Sequence, residues 1–243
     1  MAWDKHQPFT RTEFCQHVYD VARETMRGLR VDPIGGTRYL PYWWLNREVR
    51  VFWEAGIPRS TVDLIVNAVD QRARETVGLE FNFQLYGNEQ SSAEQVSQAL
   101  VRGQLDPDKL FALAASELWR NERRGGRLHA DIYITTKQFV GDPGSWAAAC
   151  FKHGAMMFCL HGQRHHGSDF LRKVALHETN HLLGMYCHCD NYQAVQGLPY
   201  RPQCNMHYSC SHESLCPKCR THIEYWWQGV QDEAVQAGVL RAA

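Results

Sequence analysis

Between His177 and Gly184 the chain reads HETNHLLG, and this stretch limits the folds open to the whole sequence. Two histidines four residues apart lie one above the other on one face of a helix, where their imidazoles stack and can grip one zinc ion. Glu178 lies beside them, and a carboxylate there can accept a proton from water whose pKa the metal has lowered. Phe170, Leu171 and Val174 give the same helix a core face, and Gly184 supplies the break that lets the chain turn back so that later histidines can complete the site. An isolated His-Glu-x-x-His match is short enough to arise by chance. In that case His177 and His181 would be hydrogen-bonded core residues and Glu178 a solvated one, a reading that the helical context argues against.

The rest of the sequence supplies a body for this helix. A chain of 243 residues can bury one substantial core. Amphipathic spacing predicts a helix over 12–29, broken by Pro33, Gly35 and Gly36 before the aromatic stretch from Tyr39 to Trp44. Residues 1–46 are therefore read as a helical N-terminal extension, and 47–243 as the catalytic domain. In the latter, VRVFWEAGI from Val49 predicts a strand and Pro58 starts a helix to about Thr76. LEFNFQLYG alternates as a half-buried strand, and helical spacing returns from Ser91 to Trp119. ADIYITTKQF and GAMMFCL predict two further strands, and Ser168 or Asp169 can cap the histidine helix. This order predicts an α/β (α+β) domain whose sheet is closed off by that helix. Met156, Met157 and Phe158 look like strand core, with an edge open to an extended peptide and room beside Gly154.

Charge and targeting signals narrow the function. The chain has 26 basic and 26 acidic residues, so no basic excess exists to attract a phosphate backbone, and nucleic acid is not the expected partner. The opening MAWDKHQPFTRTEF lacks the basic start and apolar run of a signal peptide, and no membrane-spanning run occurs, so a soluble cytoplasmic protein is expected. In a reducing setting the 9 cysteines are poor disulfide candidates. Their crowding between Cys187 and Cys219 points instead to metal. Cys15, Cys150 and Cys159 fit the role of small buried apolar residues, Trp43, Trp44, Trp226 and Trp227 that of packing groups, and His161, His165 and His166 that of a surface turn.

These motifs, in this order, resemble the archaemetzincins, zinc peptidases of the metzincin clan, whose pattern is His-Glu-x-x-His-x-x-Gly-x-x-His-Cys, then Cys-x-Met, then a late Cys-x-x-Cys. The matching pieces are HETNHLLG, His188-Cys189, Cys204-Asn205-Met206 and Cys216-Pro217-Lys218-Cys219. The resemblance runs from about Ala130 to Cys219, and more loosely from Val49. It implies a metzincin-like mixed sheet with a zinc-braced C-terminal part spanning 187–219. It also implies two zinc ions: a catalytic one on His177, His181 and His188, with Glu178 as base and Met206 in the turn beneath, and a structural one on Cys189, Cys204, Cys216 and Cys219. Peptides or proteins are the implied substrates, cleaved in an aminopeptidase-like or endopeptidase manner.

The chain departs from the family in three places. Cys187 stands where the family has its third histidine and His188 comes one residue late, so either a bulge presents His188 or Cys187 is itself the third ligand. The stretch DNYQAVQGLPYRPQ lengthens the gap between Cys189 and Cys204, which leaves Cys187 or Cys210 as possible replacements among the four cysteines. Tyr208 follows Met206 by two residues, where a tyrosine of astacin-like relatives steadies the developing oxyanion; the alternative is a packed turn aromatic. A non-catalytic, zinc-stabilised binding module is the second functional reading, and metal-bound Cys187 as a self-inhibiting thiol is a third.

Overall fold

The computed structural model describes residues 9–31, 42–87, 96–123, 128–140, 147–161, 167–189, 195–198, 203–207, 209 and 212–240. Helix α1, Arg11–Val31, opens on a reciprocal cap in which the Glu13 amide donates to Thr10 Oγ1 and the Thr10 amide donates to the Glu13 carboxylate at 2.8 Å. Strand β1, Glu48–Trp53, leads into α2, Arg59–Val77, which stops at Gly78 in the left-handed conformation. After β2, Asn82–Gly87, the chain does not continue into a single helix as its spacing predicts. A two-stranded hairpin, β3 Leu100–Val101 and β4 Gln104–Leu105, interrupts it, turning at Arg102 and Gly103, both of positive φ. Helix α3, Pro107–Arg123, then starts afresh with Pro107 in its first turn and the Lys109 amide capped by Asp106.

The remaining strands are β5, Ala130–Thr135, β6, Ala147–Cys150, and β7, Ala155–Cys159, with a 3-10 turn, Phe151–His153, between the last two. Helices α4, Gly167–Leu182, and α5, Pro217–Gln236, complete the chain. The sheet order is β2-β1-β5-β7-β6, parallel except for β6, which runs antiparallel to β7 at one edge. Thus the strand read as an open edge, β7, is paired on both sides. β6 takes its place at the edge, and its sequence AAAC carries no β-branched or aromatic residue to announce it. The space expected beside Gly154 is filled as well, because a Cβ there would lie 2.6 Å from Trp43 Cγ.

Alternation along the strands sorts two cores. Val49, Val51, Ile132, Ile134, Met156 and Phe158 face α2 and α4, while Phe52, Tyr133, Ala155 and Met157 face Leu110, Phe111 and Ala114 of α3. The α3 side also buries a charge network. Arg50 holds Asp131 with two guanidinium bonds of 2.8 and 2.9 Å, and Tyr133 OH donates to the same carboxylate at 3.2 Å. Burial alone would raise the Asp131 pKa, but Arg50 and His129 outweigh it and hold the carboxyl well below the usual carboxylate range. Phe14, Val18, Ala22 and Met26, one stripe of α1, share the larger core with α5, and the turn at 42–46 reaches α5 through the edge-to-face pair Trp44 and Trp227 at 5.2 Å. No helix among the described residues is long and apolar enough to cross a membrane.

Candidate active site

Helix α4 presents His177 and His181 on one face, as four-residue spacing requires, and the turn after Gly184 returns His188 to them. The three ring centroids lie 4.9 to 5.1 Å apart, and one nitrogen from each ring falls within 4.8 Å of the others. Cys187 is not part of this group: the late histidine joins the pair, and the residue at the expected position stays outside.

Hydrogen bonding decides which nitrogens face inward. His177 Nδ1 lies 2.6 Å from the carbonyl oxygen of Asn205, and His181 Nδ1 contacts the carbonyl of Met185. A carbonyl only accepts, so each Nδ1 carries the hydrogen and each Nε2 is left with a bare lone pair. Those two lone pairs face each other at 3.2 Å. Burial favours the neutral rings and lowers the pKa of His177 to about 3 and of His181 to about 4. Two neutral acceptors held face to face repel unless a cation lies between them. Their spacing matches the roughly 3.3 Å between two nitrogens that tetrahedral zinc at about 2.05 Å would span. The donor set therefore fits zinc. Glu178 is 7% exposed and not among the converging donors; burial raises its carboxyl to about 8.

Asn205, fully buried between Cys204 and Met206, knits the floor. Its amide donates to Ser214 O at 2.7 Å, its Nδ2 to Lys173 O at 3.0 Å and His212 O at 2.7 Å, and its Oδ1 accepts from Asn180 Nδ2 at 2.9 Å. The 212–214 segment is tied in turn to the helices, since Arg172 donates to Glu213 and Gln71 while buried Arg72 donates to Glu213 O. Met206 is buried in this turn, and its carbonyl accepts from the Cys189 amide at 2.8 Å.

Directly behind lie Cys189, Cys204, Cys216 and Cys219, all buried, with their sulfurs within 4.8 Å of one another. All four are free thiols. The Cys189 and Cys216 sulfurs are 3.6 Å apart, too far for a disulfide and close to the roughly 3.8 Å expected of two thiolates on one tetrahedral zinc. The Cys216 amide donates to Cys204 Sγ at 3.3 Å, and fully buried Lys218 donates to Cys189 O at 2.8 Å. An ammonium and backbone donors suit a cluster of thiolates, and this donor set fits zinc too.

No protein-family profile matches the chain, and no curated protein matches it. Among solved structures, it is similar to an archaemetzincin from Methanopyrus kandleri at 13% identity, over 82% of this chain and 99% of that one, with a TM-score of 0.46. An archaemetzincin from Archaeoglobus fulgidus is 15% identical over 72% of this chain and 99% of that one, TM-score 0.44. A zinc-dependent peptidase from Methanocorpusculum labreanum is 16% identical over the same shares, 72% and 99%, TM-score 0.47.

Of the other residues weighed from the sequence, Tyr208, Cys210, His165 and His166 lie outside the described residues. His161 is exposed, as a surface turn requires, Cys15 and Cys159 are buried, and Cys150 is half-buried. Asn205, Asn180, Arg72 and Lys218 went unnoticed in the sequence. Only Lys218, a charge between two crowded cysteines, carried a signal that motif spacing offered.

Proposed function

We propose that this chain is a zinc-dependent peptidase, with His177, His181 and His188 as ligands of a catalytic zinc and Cys189, Cys204, Cys216 and Cys219 as ligands of a structural one. The observation that carries the reading is the pair of Nε2 lone pairs facing each other at 3.2 Å beside His188, on the helix that also carries Glu178. Zinc, when bound, supplies a Lewis acid that polarises a carbonyl and acidifies water. With the charge of a bound zinc offsetting the burial that raises its pKa, Glu178 would be ionised, take the proton from the attacking water at its carboxylate and deliver it to the nitrogen of the departing amine. Its place outside the ligand set leaves that carboxylate available for the transfer. Tyr208 is the candidate for steadying the oxyanion. Support for peptide substrates comes from the motif order and from β6: this edge strand lies alongside α4 and has β7 as its one partner among the described strands. An extended peptide can add to such an edge by main-chain hydrogen bonds. The reading covers both aminopeptidase-like and endopeptidase action.

Glu178→Gln tests it. The variant should keep the zinc content of the wild type, measured by elemental analysis, while cleavage of a broad peptide library falls about 10²- to 10⁴-fold. Cleavage at the wild-type rate in Glu178→Gln overturns the mechanism. A wild type that holds zinc yet cleaves nothing in the library would favour the zinc-stabilised binding module.

A further inference from the structure

We infer that Asn205 is a positioning residue through which the four-cysteine cluster sets the metal affinity of the three-histidine site. The inference rests on the zinc reading above and extends it to a coupling between the two centres.

The most direct connections are short and pass through two strips of chain. His188 and Cys189 are consecutive, so one residue serves each centre with no slack between them. Cys204 and Asn205 are consecutive too, and Asn205 O is the acceptor that fixes His177 Nδ1 at 2.6 Å. The strips are joined by the hydrogen bond from the Cys189 amide to Met206 O at 2.8 Å. A cluster that gathers Cys189 and Cys204 therefore places the third imidazole and the orienting carbonyl of the first in one operation.

Asparagine is the residue this joint needs. Nδ2 supplies two hydrogens, to Lys173 O on α4 and to His212 O, while Oδ1 takes one from Asn180, also on α4 between the two histidines. The side chain thus measures the distance from the 204–206 turn to the histidine helix, and the carbonyl inherits that distance. Aspartate has the same shape but would set a carboxylate oxygen against two carbonyl oxygens, which drives the turn away from α4. Acceptors that orient metal-bound histidines typically change metal affinity 10- to 100-fold when lost.

The test is zinc affinity at the histidine site of the full chain, by chelator competition, with His188→Ala identifying which zinc belongs to that site. Asn205→Asp should weaken it at least about tenfold while the cysteine site keeps its zinc, which also reports that the fold is intact. Cys219→Ser, distant from the imidazoles in sequence and on α5, should weaken the histidine site as well. The double variant should then lose less than the product of the two single losses, because both act on one joint. The ¹⁵N shift of His177 Nδ1 should move in each, a change that loss of general stability does not cause. Should Asn205→Asp fail to fold, Asn180→Ala removes the donor to Oδ1 and probes the same joint. Wild-type histidine-site affinity in Cys219→Ser, or in both asparagine variants, overturns the coupling and leaves the peptidase reading standing. A wild-type chain with no zinc on its histidines takes down both.

Discussion

Gly184 stands at φ 103°, a conformation that L side chains rarely adopt, and a Cβ there would lie 2.0 Å from Trp226 Nε1. The Met185 carbonyl that follows is the acceptor for His181, so the indole of α5 presses on the turn that orients a proposed ligand. Gly184→Ala should therefore cost about 2–5 kcal/mol, backbone strain and overpacking together, in a denaturant titration. Zinc should leave its histidine site more readily than from wild type; a variant unchanged in both would show that the turn relaxes freely. Asp131 bears a different kind of load. Its carboxylate is ionised and paired with Arg50 in the folded chain, at a pKa below the roughly 3.9 of an unfolded aspartate. The stabilisation is thus complete above about pH 4 and is lost as acid carries the pH down towards the folded value. Asp131→Asn should cost about 3 kcal/mol at neutral pH, because it leaves the part-buried Arg50 guanidinium without its anion. The gap to wild type should narrow as pH falls below about 4; a gap independent of pH would mean that the ionised pair is not its source.

Helix α1 belongs to the same buried cluster as α5, and the full burial of Phe14, Val18 and Met26 contributes about 5–9 kcal/mol at roughly 1.5–3 each. That is comparable with the whole stability of an ordinary domain, roughly 5–15 kcal/mol. A chain shortened to residues 47–243 should lose its cooperative thermal transition; a transition within a few degrees of the full chain would show the extension to be dispensable. Elements of strong period were legible from sequence. The four-residue stripe of α1, the alternation of β1 and β5 and the amphipathic α4 all follow from which residues face the core. β6 and the β3–β4 hairpin were not, since AAAC has no strand preference of its own and takes that form only by pairing with β7. The Gly103 and Pro107 signals inside the supposed long helix were local marks outweighed by its apolar spacing. At the site, the histidines and cysteines were legible because metal chemistry restricts residue type. Asn205 was not, because its five hydrogen bonds reach partners from Lys173 to Ser214 that no local spacing brings together.

Over the whole molecule, one face of the sheet is covered by α3, which packs on Phe52 and Tyr133, while on the other side α4 carries the proposed histidine ligands and α5 is capped by Cys216 and carries Cys219 in its first turn. Two pieces of chain lie outside this frame and hold each other. Gln196 donates its amide to Phe9 O at 2.9 Å and bridges to Thr10 as a short parallel pair, with Val195 and Leu198 buried beneath. Gln196 belongs to the stretch by which this sequence exceeds the archaemetzincin pattern it resembles, and Phe9 leads into α1. Each also rests on the larger core, through Phe9 and the stripe of α1 on one side and through Val195 and Leu198 on the other, so the pairing adds a hold to those that both already have. A kindred sequence that sheds the helix should then leave the 195–198 segment with one hold fewer, so that a change in either piece bears on the other although most of the chain separates them.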